Sequence, residues 1–192
     1  MGAQPLVNTF EFKYLGHLFQ ADGEGFQAIE ERKKLAKVIF GKLHEFWSSS
    51  KLKQAVKLRM YICCVLSILS YGNAAWKLDD DTCRSLRGWN ATCLARITGR
   101  DYRAETVDPT LDLVMYIRAQ RLNWLGHTLR RTGHHPAKEI IMKMETDYSL
   151  KGGSILMDAP VKHDMEKLVE AAHDREEWRA RVNELKSQVY KQ

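Results

Sequence analysis

The sequence predicts a mainly α fold that opens with a short β-hairpin, and three observations predict it. Alternation of apolar and polar residues, rich in Phe, Tyr and Leu, is confined to residues 9–20. From Phe26 onward the apolar residues recur every three or four positions, the period of a helix with one buried face. The most apolar run, Met60 to Tyr71, is 12 residues long, enough for a core helix and too short to cross a bilayer.

Each element has its own signals. After the hairpin, Ala21-Asp22-Gly23-Glu24-Gly25 is turn chemistry. Ile29, Ala36, Ile39, Leu43 and Phe46 then mark one helix of about 20 residues, whose other face carries Arg32, Lys33, Lys34, Lys37 and Lys42. Ser48-Ser49-Ser50 ends it and offers an N-cap to a second helix, from about Lys51 to Tyr71. That second helix starts basic and ends apolar on most sides, which predicts the central position in the fold. Gly72-Asn73 breaks it. Asp79-Asp80-Asp81 caps a third helix with Leu86, Trp89, Cys93 and Ile97 inward and Gly99 as its stop. Arg100 to Asp108 reads as a polar loop. Thr110 caps a fourth helix to about Arg131, with Leu111, Val114, Leu122, Leu125 and Leu129 on one side. Gly133-His134-His135-Pro136 ends that helix, and Pro136 suits the first position of a short fifth. Lys151-Gly152-Gly153 and Ala159-Pro160 bracket a short loop or strand. A single last helix runs from about Val161 to Val189 on a stripe of Leu168, Ala172, Trp178, Val182, Leu185 and Val189. The expected organisation is a hairpin at 1–25, a helical bundle at 26–132 and a helical extension at 133–192.

Composition narrows the function classes. At 192 residues, 44% hydrophobic and 28% charged, the chain can bury one good core and is not a disordered sequence. Residues 161–192 hold seven side chains of each sign, so the net charge of +6 sits on the first 160 residues. A basic body suits a polyanionic partner, and equally a merely soluble basic protein. The four cysteines show no C-x-x-C spacing for a zinc knuckle and read as reduced, buried thiols of an intracellular protein, with the compartment open. No signal peptide is evident.

Three segments, Phe10-Glu11-Phe12-Lys13-Tyr14-Leu15-Gly16-His17-Leu18-Phe19, Ser70-Tyr71-Gly72-Asn73-Ala74-Ala75-Trp76 and Asn123-Trp124-Leu125-Gly126-His127-Thr128-Leu129-Arg130-Arg131, occur in that order. Together they resemble the tail of a reverse transcriptase of the non-LTR (LINE-type) retrotransposon family, over nearly the whole chain. Asp174-Arg175-Glu176-Glu177-Trp178-Arg179 also resembles the extreme C-terminus of some such proteins. The resemblance implies that Lys13, Tyr14, Leu15 and Gly16 form a primer-grip strand, that the bundle is a polymerase thumb, and that a C-terminal extension follows. It implies that Gly126 lets a neighbouring element approach closely and that His127 hydrogen-bonds within the core. The family's palm aspartates would lie ahead of the primer grip. Only eight residues precede Thr9 and none is acidic, so the expectation is a chain that is non-catalytic by itself, without cofactor, metal or small-molecule substrate.

The candidate phosphate contacts are Arg32, Lys33, Lys34, Lys37 and Lys42, joined by Lys51, Lys53, Lys57 and Arg59. The same lysines read equally well as a solvated face laced with Glu30, Glu31 and Glu45. Two arginine sets, Arg96, Arg100 and Arg103, and Arg118, Arg121, Arg130 and Arg131, suit phosphate recognition or buried ion pairs alike. Asp79-Asp80-Asp81 reads as a cap rather than a metal site. Trp76, Trp89 and Trp124 read as core rather than as base-stacking platforms, and His127, His134 and His135 lack a fourth metal ligand. Two functions follow. One is sequence-tolerant gripping of RNA or an RNA–DNA duplex, which expects Lys33, Lys37, Lys53 and Lys57 on one open surface. The other is a structural subunit of a larger protein or ribonucleoprotein assembly, which expects an uncovered apolar patch at Phe10, Phe12 and Tyr14.

Overall fold

The computed structural model describes residues 9–20, 25–99, 112–144, 155–160 and 164–190. It is mainly α. Strands β1 (Glu11–Tyr14) and β2 (His17–Gln20) form an antiparallel hairpin in which Phe12 faces Phe19 and Tyr14 faces His17. Nine α-helical segments are described after it: α1 (Phe26–Lys42), α2 (His44–Ser48), α3 (Gln54–Met60), α4 (Ser67–Leu69), α5 (Asp80–Thr98), α6 (Leu113–Leu129), α7 (Pro136–Met144), α8 (Met165–His173) and α9 (Arg175–Tyr190).

The first helix is shorter than its sequence period suggests. It ends at Leu43, where φ −94° and ψ 18° leave the helical range, and α2 starts at once. The reason is aromatic packing. Trp47 stacks on Phe40 at 5.1 Å, and its indole N–H donates to the Phe40 carbonyl at 2.8 Å, satisfying an orphan acceptor of the last turn. The serines do not cap the next helix. Ser48 donates back to the His44 carbonyl and Ser49 accepts from the Lys51 amide, while α3 begins at Gln54 behind Lys53 with no side-chain cap. Lys51 and Lys53 therefore precede the helix instead of opening it.

Between α3 and α4 the rod widens into π-helical turns, Tyr61–Leu66. Tyr61, Val65, Leu66 and Leu69 are buried, whereas Cys63, Ser67 and Tyr71 are exposed, so this rod is not the central one. That position belongs to α6. Its first half (Leu113, Val114, Ile117) joins a core built with α1, α2, the π turns and α5. Its second half (Leu122, Leu125, Leu129) joins a second core with α8, α9 and the short 3₁₀ turn Ile155–Asp158. A helix shared by two cores must be apolar almost all round.

The acidic caps are as the sequence suggests on α5, where the Asp79 carboxylate accepts from the Thr82 amide at 2.9 Å and Gly99 closes the helix at φ 70°. On α6 the cap is Asp112, accepting from Val114 at 2.8 Å, and not Thr110, which lies outside the described residues, as do Arg100 to Asp108 and Lys151-Gly152-Gly153. Pro136 opens α7. The last helix is two. Asp174 leaves the helical range and its carboxylate accepts from the Glu176 and Glu177 amides, so it ends α8 and caps α9.

Candidate functional site

The sequence segments that stand far apart in the chain meet in pairs. In the hairpin turn, Leu15 and Gly16 both have positive φ, 47° and 76°, as a two-residue turn between twisted strands requires. Glycine does this freely; leucine does it at a cost of roughly 1 kcal/mol. Both turn carbonyls are held. The Tyr71 hydroxyl donates to the Leu15 carbonyl at 3.0 Å, and the Arg32 guanidinium donates to the Gly16 carbonyl. Arg32 also lies over the Tyr71 ring, 4.3 Å from its centroid. Lys13-Tyr14-Leu15-Gly16 is thus clamped by the tyrosine of Ser70-Tyr71-Gly72.

The second meeting is at Gly126. A Cβ there would sit 2.2 Å from Trp178 Nε1, so only glycine admits the indole. The indole N–H donates to the Leu122 carbonyl at 3.0 Å. Gly126 does let a neighbour approach closely, and the neighbour is the Trp178-Arg179 segment. His127 differs from expectation. It is exposed, and its Nε2 accepts from the Arg131 guanidinium at 3.2 Å. On one turn of helix Leu125 and Gly126 face the core while Trp124 and His127 face outward.

The hairpin is amphipathic the wrong way round for a free domain. Glu11, Lys13 and Leu18 line the cleft against α1. By strand alternation Phe10, Phe12 and Tyr14 point away from the helices. They are 65%, 58% and 56% exposed, with the Phe12 and Tyr14 rings stacked 6.1 Å apart. Three rings of ~200 Å² at this exposure leave roughly 350 Å² of aromatic surface open.

Three of the candidate lysines are engaged within the chain. Lys33 is largely buried and is taken up by Glu30 and by Ser85 Oγ, both at 2.8 Å. Lys34 pairs with Glu31 at 2.8 Å. This contact lowers the Glu31 carboxyl and raises the Lys34 ammonium, the hydrogen bond between them being the leading cause. Lys57 donates to the Trp47 carbonyl. Lys37, Lys51, Lys53 and Arg59 are exposed, as is Arg96, while Arg100 and Arg103 lie outside the described residues. The other arginine set divides. Arg121 is fully buried and pairs with Asp158 at 3.2 Å, and Arg118 shares the same carboxylate at 3.4 Å. A fully buried Arg121 has no surface to offer a phosphate, which corrects its reading as a backbone contact. Its position was a signal: it falls on the inward stripe of Val114, Ile117 and Leu125, where an arginine demands a carboxylate. That carboxylate is Asp158, which lies far downstream in a short segment with no periodic signal of its own. Arg130 is half-buried and donates to the Ala172 carbonyl at 2.8 Å, and Arg131 is exposed.

The other candidates are structural except Trp124, which the sequence reading placed in the core and which is exposed. Asp79 is lowered first by the Thr82 amide hydrogen bond, and Asp81 pairs with Arg84 at 2.7 Å. Trp76 is buried, Trp89 packs on Tyr61 and Trp124 is 39% exposed. Burial pushes the Cys83 thiol up and the Cys93 thiol up to about 12, so neither is poised as a nucleophile. Among the described residues no three His, Cys, Asp or Glu side chains gather as a metal site, and no helix is long and apolar enough to cross a membrane.

The chain is similar to a transposon-derived protein. That relative, uncharacterised and from Caenorhabditis elegans, is 24% identical over 137 residues, covering 66% of this chain and 49% of its own length. The chain therefore spans about half of the relative it matches. No protein family and no solved structure matches the chain.

Proposed function

We propose that this chain is a non-catalytic helical module, descended from the reverse transcriptase of a retrotransposon, that works by docking into a larger protein or ribonucleoprotein assembly. The transposon-derived relative and the pairing in space of Tyr14-Leu15-Gly16 with Tyr71 and of Gly126 with Trp178 support the descent. The observation that carries the docking is the hairpin, which turns Glu11 and Lys13 toward α1 and its aromatic face outward. The aromatic face of β1 carries no cation, and among the described residues β1 pairs with β2 alone. An apolar protein sheet that adds a strand beside β1 and covers Phe10, Phe12 and Tyr14 fits it; a phosphate backbone does not. Gripping of RNA or an RNA–DNA duplex by Lys37, Lys51, Lys53 and Arg59 is the second reading, favoured by their exposure and weakened by the engagement of Lys33, Lys34 and Lys57.

Site-specific photo-crosslinking tests the choice. A photoreactive phenylalanine analogue in place of Phe12 is expected to capture protein, and capture should vanish when Phe10 and Tyr14 are changed to Ser. The same analogue in place of Lys37 should capture little. Nucleic acid captured from position 37, with no protein from position 12, reverses the assignment.

A further inference from the structure

We propose that the outer face of α6, at Trp124, His127 and Arg131, is a binding site for single-stranded nucleic acid. Most of the side chains on this helix are buried or half-buried, because α6 serves two cores. From Leu113 to Leu129 the only exposed positions are Asn123, Trp124 and His127, and Arg131 follows just past the helix end. Positions 124, 127 and 131 are spaced as neighbours on one helical face, about 10 Å from end to end. The buried packing there is already supplied by Leu122, Leu125 and the Trp178 indole against Gly126. Trp124 belongs to neither core and is left 39% exposed.

The sequence that follows the ring is mostly basic. From Asn123 to Lys138 the sequence holds Arg130, Arg131, Lys138 and three histidines; the nearest acidic residue along the chain, Glu139, is taken up by His134 at 2.9 Å and leaves Arg131 and Lys138 without a countercharge from it. On α1, by contrast, Lys33 and Lys34 are matched by Glu30 and Glu31. The cations at the end of α6 are also placed. Arg131 donates to His127 Nε2 at 3.2 Å, and the Lys138 ammonium donates to the Arg131 carbonyl at 3.0 Å, which brings a second cation to the same corner. Arg130 stays out of the site, held on the Ala172 carbonyl.

An open indole beside fixed cations selects among polyanions. A duplex offers its backbone and keeps its base faces stacked. A single strand offers both, so a base can lie on the Trp124 ring while its phosphates meet Arg131 and Lys138. Such a site reads no sequence, since every base has a face to stack. It lies on another element from the hairpin and stands or falls independently of the docking assigned there.

Fluorescence anisotropy with the full chain tests this, using a labelled oligouridylate of about 12 nucleotides and an RNA duplex of equal length. The single strand is expected to bind more tightly than the duplex. Trp124→Ala should weaken single-strand binding about fivefold or more and leave duplex binding unchanged, with Trp124→Phe retaining most of the affinity. Arg131→Glu should weaken both and flatten the salt dependence by about one counterion. Circular dichroism confirms that these surface variants fold. Absence of single-strand binding by the unaltered chain overturns the proposal, and so does a Trp124→Ala variant that binds the single strand as well as the parent does, or that loses single strand and duplex equally.

Discussion

Gly126→Ala is a substitution whose sign separates helix propensity from packing. Gly126 lies in the interior of α6, where alanine is the better helix former by about 1 kcal/mol. Propensity alone therefore predicts a more stable protein. Packing predicts the reverse. The new methyl would stand 2.2 Å from Nε1 and 2.5 Å from Cε2 of Trp178, a ring that is 3% exposed and cannot swing into solvent without opening the second core. Pushing it aside breaks the 3.0 Å hydrogen bond to the Leu122 carbonyl and leaves a buried donor unmet, at a cost of about 1–3 kcal/mol, besides the lost contacts of the ring. Removing a buried tryptophan outright costs about 3–5 kcal/mol, which bounds the displacement. The expected net effect is a loss of about 2–4 kcal/mol, or a fall in Tm of about 5–15 °C for a chain of this size. Urea and thermal unfolding of the single variant, of Trp178→Ala and of the double variant measure it. With the indole gone, Gly126→Ala should become stabilising by about 1 kcal/mol. A single variant as stable as the parent, or an equal loss in both backgrounds, would refute the close approach as the reason for this glycine.

Three further outcomes follow from the same geometry. Asp158→Asn leaves Arg121 buried without its countercharge and should cost about 3–5 kcal/mol by urea unfolding, whereas replacing Arg121 by Met together with Asp158→Asn should recover most of it; a neutral Asp158→Asn would sink the buried pair. The Cys93 thiol ionises near pH 9 in an unfolded chain and at about 12 when folded, so the unfolded state gains from ionisation in between: stability should be full below pH 9 and fall as pH rises toward 12, and in the native protein at pH 8 iodoacetamide should label exposed Cys63 and spare Cys83 and Cys93, as mass spectrometry can read. Leu15→Gly relieves a left-handed leucine and should protect the hairpin amides from hydrogen exchange by up to about 1 kcal/mol, while Tyr71→Phe, which removes the hydroxyl from the Leu15 carbonyl, should expose them.

Much of the fold was legible because its signals are local. The alternation of residues 9–20, the Asp79 cap with its Gly99 stop, and Pro136 at the head of α7 act through backbone within a turn or two of themselves. The helix ends that the sequence period does not mark depend on distant or competing partners. One period runs from Ile29 to Phe46, yet Trp47 folds back on Phe40 and breaks the helix at Leu43. Another runs through the last helix, yet the Asp174 carboxylate takes the amides that would have continued α8. Of the candidate site, residue types were legible and their availability was not. Lys33 and Lys37 look alike in the sequence, and only folding sets Lys33 against Glu30 and Ser85 while leaving Lys37 in solvent.

The sequence by itself determined a basic, mainly α chain with an N-terminal hairpin, since periodicity and composition are properties of neighbours along the chain. Tertiary structure decided which helix is central, which arginines are spent on Asp158, that Tyr71 and Arg32 clamp the Leu15-Gly16 turn, and that Gly126 exists to admit Trp178. Those are contacts between residues tens of positions apart, and no local rule encodes them. The same physics that buries Leu125 and Gly126 turns Trp124 and His127 outward, so the surfaces available for function are what remains after the cores have taken what they need.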